Sequence, residues 1–467
     1  MTDRRGIRFG TSGWRGVIAR DFTWDRVDRV VDAIGAMVAD DGGSAFVVGG
    51  DTRFLSPELA RSAAERLAGY GFRVVLADRP VPTPALSHAA RALKLDGIIN
   101  FTASHNPPIY NGIKFSPGHG GPASGEVTTR VEELYTSGAS PSPGSGVVEE
   151  TDLIPAFAKA LMEHLSPKAF ADSGLRVVYD PFTGTGFGVL DRMLQDLGAA
   201  VRVINGPRDP LFGGRRHPEP NEAGLAQLSE EVMRSGASVG LANDGDADRF
   251  GLVGEDGAYV SPHDFLPLLL EYLVEERGLK GTVVRSVSTG SLLDRVAGRL
   301  GLDLETTPVG FKHLGGRMLQ GGVLLAGEES GGLSIGGHVP EKDGVLACLL
   351  ASEMIAARGR GLAEQLKDLW DRYGRLYDTR IDLPLTAGTR AMIRERFLEA
   401  TPGEVAGRAV RGEDRRDGVR LDLDGECWVL VRLSGTEPLA RIYVEAPSPA
   451  DSEQICDWFA DLLDAGE

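Results

Sequence analysis

Short unbroken apolar runs recur along the chain, and most of them end in a polar, glycine-containing loop. Residues 45–50 lead into Asp51-Thr52-Arg53, 97–101 into Thr102-Ala103-Ser104, and 175–179 into Asp180-Pro181. Residues 239–242 lead into Asn243-Asp244-Gly245-Asp246, 282–284 into Arg285-Ser286, and 324–326 into Gly327-Glu328-Glu329-Ser330. Runs of this kind predict strands buried on both faces, as in parallel sheets. Between them the spacing turns helical. Val27, Val30, Val31, Ile34 and Val38 fall on one helix face. Strands alternating with helices predict an α/β architecture, in which ligands gather beyond the carboxyl ends of the strands. The polar loops fall at those ends.

The pattern also suggests where the chain divides. Residues 137–146 are rich in Ser, Pro and Gly and read as a linker. Further breaks are expected near 254–262 and 373–382. After the last, the character changes: 419–431 and 440–444 read as alternating antiparallel strands, followed by a closing helix over 452–463. The expected domains are 1–147, 148–256, 257–374 and 375–467, three of α/β type and a smaller α+β one.

Composition narrows the function classes. A chain of 467 residues, 42% hydrophobic, can build several cores without disulfide or metal staples. Its charge of −17, from 67 acidic against 50 basic residues, disfavours nucleic acid and anionic membrane as partners. A phosphate ligand would have to be drawn by a local basic pocket against that field. Cys348, Cys427 and Cys456 lie far apart with no C-x-x-C pair, which argues against a disulfide framework or structural zinc and fits a reducing compartment. The first residues lack an apolar leader, and runs such as 265–270 are too short to span a bilayer. The expectation is a cytoplasmic protein.

Five loops carry candidate chemistry. Thr102-Ala103-Ser104-His105-Asn106-Pro107-Pro108, with Lys114 downstream, either presents a serine hydroxyl to a ligand or is a capped turn. Asp244-Gly245-Asp246-Ala247-Asp248-Arg249 sets three carboxylates at alternate positions, fit for one hard cation. Magnesium suits it if a phosphate adds a ligand. A calcium loop is the rival, but Arg249 stands where that loop needs glycine. Gly327-Glu328-Glu329-Ser330-Gly331-Gly332 either grips sugar hydroxyls or is a glycine-rich turn. Arg432-Leu433-Ser434-Gly435-Thr436-Glu437-Pro438, with Arg441, is either a phosphate cradle or a plain strand connection. Gly10-Thr11-Ser12-Gly13-Trp14-Arg15-Gly16 offers one arginine to an anion. Two G-x-S-x-G matches, at 236–240 and 332–336, lack the strand-to-helix setting of a nucleophile elbow. Gly184-Thr185-Gly186-Phe187-Gly188 brings its third glycine one residue early for a dinucleotide loop and reads as a helix start.

Taken together, four of these loops, those of Ser104, the aspartates, Glu328 and Arg432, follow in chain order, one per domain, and resemble those of the α-D-phosphohexomutase superfamily over nearly the whole chain. The resemblance implies three similar α/β domains with mixed, largely parallel sheets plus a C-terminal α+β domain around a central cleft. It implies a phosphorylated Ser104, with His105, Lys114 and Arg15 beside it in catalysis. It implies magnesium held by Asp244, Asp246, Asp248 and the phosphoserine, substrate contacts from Arg249, Lys312, Glu328 and Ser330, and phosphate binding by Arg432, Ser434, Gly435, Thr436 and Arg441. The implied reaction interconverts glucose 1-phosphate and glucose 6-phosphate through a hexose 1,6-bisphosphate, with glucose 1,6-bisphosphate as activator and a monomer or homodimer as the working form. Glu328-Glu329-Ser330-Gly331 and Arg285-Ser286-Val287-Ser288-Thr289 resemble the glucose type. A mannose or dual glucose/mannose enzyme is the alternative, ahead of a glucosamine mutase, a glucose 1,6-bisphosphate synthase or a non-catalytic sugar-phosphate sensor.

Overall fold

A computed structural model describes residues 6–10, 13–215, 217–433 and 439–464. All six apolar runs are strands, and each takes an interior position in one of three sheets. The first sheet contains β1 (Trp14–Val17), β2 (Ala45–Gly50), β3 (Arg73–Ala77), β4 (Gly97–Phe101), β5 (Tyr110–Pro117) and β6 (Val147–Thr151), in the order β1-β5-β4-β2-β3-β6. The second contains β7 (Arg176–Asp180), β8 (Ala200–Val203), β9 (Val239–Asn243), β10 (Phe250–Val253) and β11 (Tyr259–Val260), in the order β11-β10-β9-β7-β8. The third contains β12 (Thr282–Ser286), β13 (Leu304–Thr307), β14 (Val323–Glu328) and β15 (Gly332–Ile335), in the order β13-β12-β14-β15. Each has a parallel core and an antiparallel flank, so mixed, largely parallel sheets are present as expected.

One device recurs in all three. A buried central strand ends in a polar loop and the chain returns antiparallel beside it: β4 to β5, β9 to β10, β14 to β15. The hairpin tips are the serine, aspartate and Glu328 loops. Each tip holds one residue in the left-handed region: Ser104 (φ 49°), Ala247 (φ 55°) and Gly331 (φ 82°). For the two that are not glycine this conformation costs roughly 1–2 kcal/mol, which the surrounding contacts must offset.

The C-terminal unit is an all-antiparallel sheet of β16 (Tyr377–Pro384), β17 (Glu404–Val405), β18 (Arg408–Asp414), β19 (Val419–Leu423), β20 (Cys427–Leu433) and β21 (Leu439–Ala446). The helix Pro449–Asp464 closes it over a core of its own that includes Val429, Ile442 and Phe459.

Two divisions drawn from the sequence shift. Residues 137–146 are not a linker between domains. The Gly144 and Gly146 amides donate to the carbonyls of Gly69 and Ala68, and β6 pairs parallel with β3 as the edge of the first sheet. A boundary at 147/148 therefore falls one strand short. A boundary at 256/257 cuts the hairpin of β10 and β11.

The second and third units also share one hydrophobic core, which holds Val177 and Leu241 from one sheet and Val283 and Leu325 from the other and extends to Val47 and Ile98 of the first. The helix Gly344–Arg358 joins them: it packs on β9, β10 and β15, and every residue from 344 to 355 is buried. Ser352 and Glu353 apart, this stretch is apolar all round, which demands burial on all sides. The helix start expected at 184–188 is a series of turns, and the helix itself runs Leu190–Asp196.

Candidate active site

Ser104 is buried, and its left-handed backbone brings its Oγ to donate to Asp244 Oδ2 at 2.6 Å. The serine loop and the aspartate loop come from different sheets, and Gly245 allows their approach: a Cβ there would meet the Ser104 carbonyl and the Phe212 ring. Thr102 joins the two loops. Its Oγ1 accepts the Ser104 amide at 2.8 Å and lies 2.7 Å from Asp51 Oδ2 and 3.1 Å from Asp246 Oδ2. Thr83 adds a second tie, donating its hydroxyl to Asp246 Oδ2 at 2.8 Å and its amide to the Asp246 carbonyl.

Asp244, Asp246 and Asp248 each offer a carboxylate oxygen within 4.8 Å of the others, and all three are buried. Asp246 Oδ1 and Asp248 Oδ1 have no hydrogen-bond partner. Burial, then Asp246 and Asp248, pushes the Asp244 carboxyl well above the usual range. Burial opposes ionisation of Asp248 too, but Lys342, Lys114 and Arg249 outweigh it and hold that carboxyl low. Oxygen-only donors, two of them unpartnered, suit a hard divalent cation, so the residues present can hold a metal ion.

The metal loop is braced from behind. Tyr179 donates to Asn243 Oδ1 at 2.9 Å, and Asn243 Nδ2 donates to the Arg249 carbonyl at 2.8 Å. Gly186 makes room for the Tyr179 hydroxyl, which would lie 2.1 Å from a Cβ at that position. The Gly344 amide donates to the Ala247 carbonyl.

Cations gather here against the overall charge. Burial, then Arg249, Arg15, Lys342 and Arg53, depresses the His105 imidazole well below its ordinary value, so the ring is neutral. It lies 3.3 Å from Ser104 Oγ. Arg15 donates to Asn106 Oδ1 at 2.5 Å, its Nε is unpartnered, and burial lowers its pKa to about 10. Arg249 pairs with Glu219 at 2.8 Å and also keeps an unpartnered Nε.

Lys114 is placed differently from the expectation of a cation open to phosphate: its Nζ is buried against Glu341 Oε2 at 2.7 Å. The neighbouring Lys342, which carried no recognisable sequence signal, sits 2.9 Å from Asp248 Oδ2. The charged Glu341-Lys342-Asp343 run just before a largely apolar helix is all that sets it apart in the sequence.

In the sugar loop, Ser330 donates to Glu328 Oε1 at 2.8 Å, while Glu328 Oε2 is buried and unpartnered. Burial, then the adjacent Glu329, raises the Glu328 carboxyl to about 7. Glu329 turns the other way and accepts from Ser288 at 2.6 Å and Ser286 at 3.2 Å.

Lys312 begins the helix Phe311–Met318, half-buried, with no hydrogen bond or ion pair among the described residues. Arg432 and Arg441 are cross-strand neighbours on β20 and β21, and Arg432 donates to Asp417 at 2.8 Å. Ser434, Gly435 and Thr436 lie outside the described residues, as do Thr11 and Ser12.

Comparison with known proteins identifies the family. Four family models of phosphoglucomutase/phosphomannomutase match in sequence: the alpha/beta/alpha domains I, II and III over 6–142, 155–257 and 261–373, and the C-terminal domain over 394–462. The chain belongs to this family. It is a phosphohexomutase of the α-D-phosphohexomutase superfamily, an isomerase that acts as an intramolecular phosphotransferase.

The mutase is 31% identical over 465 residues to a phosphoglucomutase/phosphomannomutase of Thermococcus kodakarensis, covering 98% of this chain and 99% of the relative. It is 30% identical to a phosphoglucosamine mutase of Carboxydothermus hydrogenoformans, over 97% and 98% of the two chains. The crystal structure of a Thermus thermophilus protein assigned as a phosphomannomutase superposes with a TM-score of 0.87 at 38% identity, over 98% of this chain and 99% of that one. Among the described residues of the mutase, no helix is long and apolar enough to cross a membrane.

Proposed function

We propose that this mutase interconverts glucose 1-phosphate and glucose 6-phosphate, with Ser104 carrying the phosphoryl group and a hexose 1,6-bisphosphate as intermediate. The observation that carries the reading is the buried Ser104 hydroxyl donating at 2.6 Å into a three-aspartate cluster with two unpartnered carboxylate oxygens. In the first half-reaction the bond between phosphorus and Ser104 Oγ breaks while a sugar hydroxyl oxygen bonds phosphorus. In the second, the other phosphate passes to Ser104 Oγ. The proton lost by the sugar hydroxyl ends on the departing Oγ, and Asp244, the carboxylate that accepts from Oγ, takes it back as Oγ attacks in the second half. Magnesium held by Asp244, Asp246 and Asp248 would offset charge on the transferring phosphoryl group.

Arg15 and Arg249 carry the charge available to phosphate oxygens, with Lys342 and Lys114 adding positive charge beside the aspartate cluster. Glu328 Oε2 and Ser330 receive sugar hydroxyls. Lys312 and the Arg432–Arg441 strands bind the phosphate that is not being transferred. Burial of Ser104 keeps water from hydrolysing the phosphoserine. Glucose 1,6-bisphosphate primes the serine, and the enzyme works in the cytoplasm.

The Glu328-Glu329-Ser330 loop supports glucose as the preferred sugar. The names of the Thermococcus and Thermus relatives support mannose phosphate as a second substrate. The test is turnover with magnesium and catalytic glucose 1,6-bisphosphate. Ser104→Ala should lower kcat by more than about a thousandfold, as expected when a covalent carrier is lost; undiminished activity would remove Ser104 from the mechanism. Comparing kcat/KM on glucose, mannose and glucosamine phosphates decides the sugar.

A further inference from the structure

Arg53 follows β2 and is fully buried, yet it has no place in the reaction as described so far. Its guanidinium has five N–H groups, and all five are used. Nε donates to Asp51 Oδ2 at 3.1 Å. Nη1 donates to the carbonyls of Pro107 at 2.9 Å and Tyr110 at 3.1 Å. Nη2 donates to the carbonyls of Ser104 at 2.5 Å and Asn106 at 2.6 Å. Four carbonyls of one loop therefore converge on a single cation behind it. With the Ser104 carbonyl drawn inward and its φ positive, the serine hydroxyl is left facing Asp244.

The grip extends to the second unit. The Phe212 ring covers the guanidinium at 4.7 Å, and Arg208 donates to the Thr52 carbonyl at 3.1 Å. The cation thus fixes the serine loop and holds it against the unit that supplies the aspartates.

We infer that Arg53 is a positioning residue for the phosphoryl-carrying serine: its planar fork sets the left-handed turn at Ser104 and hence the alignment of Oγ with the aspartate cluster. This rests on the proposed role of Ser104. The requirement is for shape as well as charge. A lysine brings three donors on a flexible stem and cannot meet four carbonyls and a carboxylate at once. Arg53 touches neither reacting group directly, so its loss should slow the chemical step and leave sugar binding intact.

The experiment uses the full chain with Arg53→Lys and Arg53→Ala. Steady-state kcat and KM for glucose 1-phosphate are measured with magnesium, and phosphate on the protein is read by intact mass after incubation with glucose 1,6-bisphosphate. The expected result is a kcat lower by about a hundredfold, the size of effect an ångström-scale misplacement produces, with KM within about twofold. Arg53→Lys should be no better than Arg53→Ala, and added guanidinium ion should partly restore kcat in Arg53→Ala alone. A folded Arg53→Ala with near-normal kcat, a loss confined to KM, or full activity in Arg53→Lys would overturn the inference. Failure of both variants to fold would overturn it too, leaving Arg53 a purely structural residue. If the wild type takes up no phosphate at Ser104, the proposed function fails instead. If it does and the variants load and turn over at its rate, only the role of Arg53 fails.

Discussion

Replacing Glu328 with glutamine removes a carboxylate that the fold keeps out of water, and the consequence depends on pH in a calculable way. The side chain is 6% exposed, Oε1 accepts from Ser330, Oε2 has no partner, and the carboxyl is raised from 4.5 to about 7. A raised carboxyl binds its proton more tightly in the folded state than in the unfolded one, so stability falls as pH rises between the two values. The penalty is on the order of 0.8 kcal/mol at pH 5 and about 3 kcal/mol at pH 8, where both states are ionised. Glutamine keeps the shape and a hydrogen bond to Ser330 without the charge. The thermal midpoint of unliganded Glu328→Gln should therefore exceed that of the wild type by a margin that grows between pH 5 and pH 8. The growth is about 2.5 kcal/mol, or roughly 5–10 °C for a unit of this size. Differential scanning calorimetry of both proteins across that range measures it. Activity should fall if Oε2 accepts from the sugar as proposed, so stability and function would move in opposite directions. A midpoint difference independent of pH would refute the reasoning, because it would mean that the Glu328 carboxyl titrates alike in the folded and unfolded states.

Three further outcomes rest on the same structure. Asp246→Asn should weaken magnesium binding by about tenfold or more while leaving Ser104 buried, read as a higher magnesium concentration for half-maximal activity. Chelation should silence the wild type and added magnesium restore it; activity in excess chelator would reject the metal role. Glu353→Gln removes the charge of a fully buried carboxylate that accepts from Tyr272 at 2.7 Å, from the Ser166 amide at 2.6 Å and from Arg277. Breaking one side of a buried pair costs about 3 kcal/mol, so the unfolding midpoint should drop while kcat of the folded protein stays near normal; an unchanged midpoint would show the pair to be dispensable.

The pattern of apolar and polar positions by itself determined the six central strands, the β19–β21 part of the antiparallel C-terminal sheet and the loops that carry the chemistry. Those are local properties: a run of buried residues or a turn sequence needs no distant partner to be read. The aspartate triad was legible for the same reason, since its three carboxylates lie within five positions of one another. Tertiary structure decided which charges meet. Lys114 pairs with Glu341, 227 residues away, and Lys342 with Asp248, so both lysines are committed to carboxylates far along the chain. It also decided that 137–151 completes the first sheet and that one buried helix welds the second and third units together. The left-handed turns at Ser104 and Ala247 and the carbonyl-gathering role of Arg53 likewise had no mark in the sequence. The physical reason is common to all of these. An ion pair, a shared core or a strained turn is stabilised by groups far apart along the chain, and no periodicity records their meeting.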